Sequence, residues 1–317
     1  MKTAFVFAGQ GSQYIGMGED LYEHIPRCKE IFDKANDILS FDIKELIFNG
    51  NKEDLDITEN TQPAILITSI AAKEALEERG IKADVVAGLS LGEYSALVCA
   101  NALSFEEAVA LVKKRGRYMQ EAVPIGVGSM AAIIGLPIEK IKIAIENSRD
   151  KGIVEIANYN TNNQIVIGGE KEAVEKAKEL CLEYGAKRAI ELKVSGPFHT
   201  SLLEKASIKL KEELKNIEFN NPSTKIISNV TAEFIDNKSD IEELLFSQIK
   251  SSVKWSKSIE KMLNMGVDTF IEFGPGRVLS SFIKEISREK GLKVNIYNVE
   301  DMKSLNKTLE GIGILNG

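Results

Sequence analysis

Gly88-Leu89-Ser90-Leu91-Gly92 fits the pattern G-x-S-x-G, placed between a strand-like run, Asp84-Val85-Val86-Ala87-Gly88, and a small-residue helix expected over 91–100. A serine on such a strand-to-helix elbow has its hydroxyl pushed clear of the backbone, where it can attack a carbonyl carbon. The flanking glycines leave room for the strand and helix to pack closely. The Leu91 N–H, at the helix start, points to where an oxyanion would form. A serine nucleophile needs a base, and the chain has only two histidines. His24 lies in Leu21-Tyr22-Glu23-His24-Ile25-Pro26, an early helix without a partner signal, and a surface role is expected. His199 follows the turn Ser195-Gly196-Pro197-Phe198 and precedes a helix beginning Thr200-Ser201-Leu202-Leu203. A helix N-terminus disfavours imidazolium, which would keep this ring neutral and able to accept a proton. His199 is therefore the base if Ser90 is a nucleophile. A third group should hold the imidazole through its other nitrogen, and the spacing identifies no Asp or Glu for it.

A second candidate is a cation. Ser104 reads as a helix N-cap, with Glu107 completing a capping box. Along that helix Ala108, Leu111, Val112, Arg115 and Met119 fall on one apolar face, while Lys113, Lys114 and Arg117 point elsewhere. Burying a guanidinium is costly unless an anion answers it. Periodicity leaves two readings open. One is an internal salt bridge or snorkelling to the surface. The other is a bidentate clamp on a substrate carboxylate, which would select a dicarboxylic acyl group.

The loop Gly9-Gln10-Gly11-Ser12-Gln13 follows an apolar strand over 3–8. It is not a nucleotide loop: there is no G-x-x-x-x-G-K-[ST], and the third glycine of G-x-G-x-x-G would fall on Tyr14. Its exposed amides could instead supply a second oxyanion donor.

These residues must be held by an α/β fold, because strands and helices alternate along most of the chain. Besides 3–8 and 84–88, strands are expected at Lys225-Ile226-Ile227-Ser228 and at Thr269-Phe270-Ile271-Glu272-Phe273, the latter ending in Gly274-Pro275-Gly276. Between 127 and 192 the order changes: strand 130–134, helix 137–148, strands 153–158 and 165–167, helix 170–184, strand 187–192. That is βαββαβ, a ferredoxin-like unit. The expected organisation is a core of 1–126 and 193–317, with a largely parallel sheet, carrying 127–192 as an inserted small domain.

The 317 residues, 44% hydrophobic and 27% charged, supply ample core material. A formal charge of -7 argues against nucleic acid as the main partner. Cys28, Cys99 and Cys181 are far apart and read as reduced thiols without metal spacing. The apolar start is too short for a secretory segment and no later stretch could span a bilayer, so a soluble cytoplasmic protein is expected.

With these residues in hand, the chain resembles the malonyl-CoA–acyl carrier protein transacylases of fatty acid synthesis and the acyltransferase domains of polyketide synthases. The likeness runs through Phe7-Ala8-Gly9-Gln10-Gly11-Ser12-Gln13, Gly88-Leu89-Ser90-Leu91-Gly92-Glu93-Tyr94, Arg115-Gly116-Arg117-Tyr118-Met119-Gln120, Asn158-Tyr159-Asn160, Gly196-Pro197-Phe198-His199, the Gln248 region and Phe273-Gly274-Pro275-Gly276. The resemblance implies a hydrolase-like core, Ser90 as the acylated nucleophile and His199 as its base. It implies that Gln248 accepts the His199 ring N–H through a carbonyl, and that the amides of Gln10 and Leu91 form the oxyanion hole. Arg115 would bind the free carboxylate, with Met119, Asn158, Asn160 and Phe198 also contacting substrate. Phe198 before the histidine favours malonyl over methylmalonyl. Malonyl-CoA and acyl carrier protein would be the partners, with no metal or other cofactor. Leu89 stands where many members carry histidine, a position expected to face away from the chemistry. For an acidic carrier protein, Lys187, Arg188, Lys205, Lys209 and Lys211 are candidate contacts, although such runs are usually solvated faces. The competing readings are a serine esterase or thioesterase of ordinary hydrolase type, and a catalytically silent scaffold that binds carrier proteins. In the former the histidine comes late in the chain, whereas more than a hundred residues follow His199.

Overall fold

The structure is a computed structural model that describes residues 1–124 and 126–314. Its strands are β1 Thr3–Phe7, β2 Val85–Gly88, β3 Gly128–Ile134, β4 Val154–Thr161, β5 Gln164–Glu170, β6 Arg188–Glu191, β7 Lys225–Ile226, β8 Thr269–Phe273 and β9 Asn295–Val299. They form two sheets.

The first has the order β7-β2-β1-β8-β9 with every pairing parallel. A parallel strand covered on both faces must be apolar throughout, and all five residues of β1 are buried. Ala4 and Val6 pack with Val85, Ala87 and Phe270 toward the helices Trp255–Asn264 and Val278–Glu289. Phe5 and Phe7 turn to the other side, toward the helices Thr58–Glu77, Gly92–Cys99 and Phe105–Glu121. In the register, Phe7 lies level with Gly88 of β2 and with Phe273 of β8. The chain leaves β1 for β2 on one side and returns to β8 on the other, so their C-terminal ends open a crevice at a switch point of the sheet. The loop after β1, the serine elbow and Gly274-Pro275-Gly276 all sit on that rim.

The second sheet has the order β4-β5-β3-β6 and is antiparallel throughout, with the helices Ile138–Glu146 and Lys171–Glu183 between its strands. The element order matches the sequence expectation for this segment, although the strand expected at 165–167 extends over Gln164–Glu170. Alternation with period two gives the sheet two apolar faces. Ala131, Ile133, Ile165 and Ile167 pack on its own helices, whereas Met130, Ala132 and Val166 join the core of the larger body.

The helix Phe105–Glu121 starts as expected, with Ser104 Oγ accepting the Glu107 N–H at 3.2 Å. The return contact differs from a full capping box: the Glu107 carboxylate accepts from the Ser104 hydroxyl at 2.6 Å, not from the Ser104 backbone. The helix Thr58–Glu77 was not legible in the sequence, because residues 61–73 are buried all round and leave no amphipathic period to read.

Candidate active site

Ser90 sits between β2 and the helix Gly92–Cys99 with φ 55°, the left-handed region that side-chain-bearing residues rarely occupy. The surroundings hold it there. Its N–H donates to Asn229 Oδ1 at 2.6 Å, while Asn229 Nδ2 donates to the Gly88 carbonyl at 2.7 Å. A Cβ added at Gly88 would stand 1.9 Å from the Gly92 backbone, and one at Gly92 would stand 2.2 Å from the Phe7 carbonyl oxygen. Glycine is thus required on both sides of the elbow.

His199, also left-handed with φ 61°, brings Nε2 to 2.7 Å from Ser90 Oγ. Its Nδ1 lies 2.8 Å from the backbone carbonyl of Gln248, the last residue of the helix Lys238–Gln248. A carbonyl only accepts, so the ring proton belongs on Nδ1 and the Nε2 lone pair faces the serine hydroxyl. The ring's pKa is pushed down to about 4, first by burial and then by the Arg115 cation. His199 is followed by the 3₁₀ turn Ser201–Leu203, which runs on into the helix Glu204–Leu214, and burial is the first cause of the neutral imidazole. His24 ends the helix Glu19–His24, exposed beside Asp20.

Arg115 is fully buried, 0% exposed. Its Nη2 donates to Ser90 Oγ at 3.2 Å and to Gln248 Oε1 at 2.9 Å, and its Nη1 donates to Gln62 Oε1 at 2.9 Å. Its Nε has no partner among the described residues. The guanidinium carbon lies 5.2 Å from the Tyr94 ring centroid. Of the readings left open by the sequence, snorkelling is excluded by burial, and no ion pair to Arg115 occurs among the described residues.

Gln10, Leu89, Asn158, Asn160, Lys193 and Val194 line a cavity of about 370 Å³ between the two sheets. The amides of Gln10 and Leu91 donate to no protein acceptor among the described residues. The Gln10 side chain donates to Thr58 Oγ1 at 3.2 Å, which lies 2.8 Å from Ser195 Oγ, tying the first loop to the segment that carries His199. Asn160 is buried with Oδ1 unpartnered among the described residues. Leu89 lines the cavity beside Gly9 and packs against the cluster that holds Ala4, Val6, Val85 and Ala87. Met119 is buried, its sulfur accepting from Gln62 Nε2 at 3.4 Å, and Phe198 packs in the same core. Of the basic candidates, Lys209 and Lys211 pair with Glu121 and Glu243, and Arg188 opens the edge strand β6.

Three residues of the site were missed. Gln62 could have been suspected as an amide beside the apolar run Pro63-Ala64-Ile65-Leu66-Ile67. Glu93 stands in the elbow helix among buried residues, and its carboxylate accepts from Gln248 Nε2 at 2.6 Å. Nothing in the sequence marks Asn229.

The arrangement can deprotonate a serine beside a buried cation, and it leaves the amides of Gln10 and Leu91 without protein acceptors among the described residues. Comparisons with known proteins agree in kind. Residues 4–307 match the model of the acyl transferase domain. A malonyl CoA-acyl carrier protein transacylase of Bacillus subtilis is 50% identical over 288 residues, covering 90% of this chain and 91% of that protein. The crystal structure of MCAT from Streptococcus pneumoniae superposes with a TM-score of 0.93 at 50% identity, over 98% of this chain and all of that one. A malonyl-transacylase solved in complex with its type II PKS acyl-carrier protein gives a TM-score of 0.94 at 41% identity, with 98% and 100% coverage.

Proposed function

The chain belongs to the acyl transferase domain family, and on that premise we propose that it moves a malonyl group from coenzyme A to the phosphopantetheine thiol of an acyl carrier protein, supplying fatty acid synthesis. One observation carries this reading: a single buried oxygen, Ser90 Oγ, is met by a neutral imidazole at 2.7 Å and by a guanidinium at 3.2 Å.

His199 Nε2 takes the hydroxyl proton as Ser90 attacks the thioester carbonyl, and Gln248 O holds the Nδ1–H through the transfer. This acceptor is neutral, so it fixes the tautomer without adding a negative charge to the site. The free N–H groups of Gln10 and Leu91 receive the oxyanion, each such donor being worth about 10²–10³ in rate. The imidazolium returns its proton to the departing thiolate of coenzyme A. The carrier-protein thiol then attacks the malonyl-serine ester along the reverse path, and Ser90 is regenerated. Arg115 holds the malonyl carboxylate, with the cavity walls of Asn158 and Asn160 and the buried Met119 and Phe198 shaping the space around the acyl group. These steps are acyl and proton transfers; coenzyme A and phosphopantetheine enter as substrates.

We read residues 1–126 and 193–317 as a hydrolase-like core and 127–192 as a ferredoxin-like insert. The parallel sheet with its serine elbow supports the first, and the strand order β4-β5-β3-β6 over a separate apolar cluster supports the second. No helix among the described residues is long and apolar enough to cross a membrane, which suits work on soluble carrier proteins in the cytoplasm. Incubation with malonyl-CoA followed by intact-mass measurement tests the proposal. A single malonyl adduct is expected, discharged by holo carrier protein faster than by water. Discharge to water at the same rate would assign the chain to the thioesterases instead.

A further inference from the structure

Gln248 stands at the centre of the site. Its backbone carbonyl accepts from His199, its Oε1 accepts from Arg115, and its Nε2 donates to the Ser90 carbonyl at 2.9 Å and to Glu93 Oε2 at 2.6 Å. The carboxamide therefore bridges a cation and a carboxylate, its oxygen toward Arg115 and its nitrogen toward Glu93. A flipped amide would set N–H against guanidinium and oxygen against carboxylate, so an ionised Glu93 locks the bridge in one orientation. Glu93 is fully buried, and its other oxygen, Oε1, has no hydrogen-bond partner among the described residues. The Asn229 N–H gives Oε2 only a long contact of 3.3 Å. Oε1 is thus the oxygen open to a proton while Oε2 keeps its bond to Gln248.

We propose that Glu93 is the resident counter-charge of Arg115: it positions the guanidinium through Gln248 in the empty enzyme, and takes up a proton from water when an acyl carboxylate occupies Arg115. The inference rests on the reading of Arg115 as the clamp. Its physical basis is charge balance in a dry site. With Glu93 ionised, a bound malonyl group places two carboxylates around one guanidinium, and the resident one is relieved by protonation. Other groups facing the pair do not take over this role. Tyr94, beside Glu93 on the same helix, is already protonated, its hydroxyl pushed up to about 12 chiefly by burial. His199 is held neutral by burial and by Arg115. Gln62, Ser228, Asn229 and Gln248 carry no charge. Burial also raises the Glu93 carboxyl to about 7, so both of its forms are accessible near neutral pH.

The test is calorimetry of nucleotide thioester binding to the full chain carrying Ser90→Ala, at pH 7.5 in two buffers of different ionisation enthalpy. Acetyl-CoA serves as the control for protonation of the coenzyme A phosphates. A tenfold coupling between the two carboxylates would take up about half a proton per malonyl-CoA bound. We expect that excess over acetyl-CoA, and its loss when Glu93→Gln is added, with malonyl-CoA still bound in preference to acetyl-CoA. In the enzyme with Ser90 intact, kcat/KM for malonyl-CoA should fall as pH rises above about 7, a decline that Glu93→Gln flattens and Glu93→Asp retains. Equal proton uptake for the two thioesters, or an excess that survives Glu93→Gln, would overturn the proposal while leaving the clamp intact. Failure of the clamp itself would show separately, as an unchanged malonyl-to-acetyl ratio in Arg115→Ala.

Discussion

The parallel body holds the reacting groups, and the antiparallel sheet borders the cavity lined by Gln10 and Leu89. From the parallel body come Ser90, His199, Arg115, Glu93 and Gln248, joined by hydrogen bonds of 2.6 to 3.2 Å. The antiparallel sheet brings to the wall Asn158, Asn160 and apolar neighbours such as Val166, and none of its residues touches Ser90 Oγ among the described hydrogen bonds. The body also carries the left-handed non-glycine backbone found among the described residues. Two of its site residues hold left-handed backbone, and its elbow tolerates no Cβ at Gly88 or Gly92. The antiparallel sheet, by contrast, rests on an apolar cluster of its own and meets the body through its other face and through the edge strand β4, which pairs with Val253. Strain is concentrated where bond-making atoms must be placed to within fractions of an ångström, and a wall that shapes a pocket needs none.

Four substitutions test that contrast. Ser90→Ala should lower transfer by about 10⁴-fold or more and abolish the covalent adduct; a persistent adduct in the intact mass would move the nucleophile elsewhere. Ile167→Ala, in the apolar cluster of the antiparallel sheet, should cost about 2–4 kcal/mol of stability through the cavity it leaves. Its acylation rate per folded molecule should stay close to the native one, so a matching loss of rate would show that the wall is not separable from the chemistry. Arg115→Ala should reduce the malonyl-to-acetyl ratio of kcat/KM by about 10–100-fold, the worth of a charge-assisted bond in a buried site. Asn160→Ala should change KM only a few-fold, about 1 kcal/mol for one neutral hydrogen bond, with kcat little altered.

The pH profile offers a further handle on the body. A histidine whose folded pKa is depressed remains a base well below its ordinary range. The acid limb of kcat/KM should therefore appear as pH falls toward about 4 and not near 6.5. The same sign applies to stability. The neutral buried ring contributes stability that is present above about 6.5 and lost as pH falls through the range down to 4. A limb near 6.5 in the free enzyme would mean that His199 is better solvated than the packing around it indicates.

The elbow and the glycine loop were legible in the residues because they are local: strand, turn and helix follow one another within a dozen positions, and the required glycines are written beside the serine. Arg115 was legible as far as its inward face, since helical periodicity reports burial but not what lies opposite. The βαββαβ order of residues 127–192 could likewise be read from alternation and spacing. Other features arise only between distant segments. Gln248 reaches His199 across 49 positions and Ser90 across 158, and Asn229 braces an elbow 139 residues away. Such contacts depend on how the helix Lys238–Gln248 and the loop after β7 pack against the elbow, and no local pattern encodes that. The same limit applies to the neutral state of His199. A helix N-terminus is visible in one stretch of chain, whereas burial and a neighbouring guanidinium exist only once the whole sheet has closed around them.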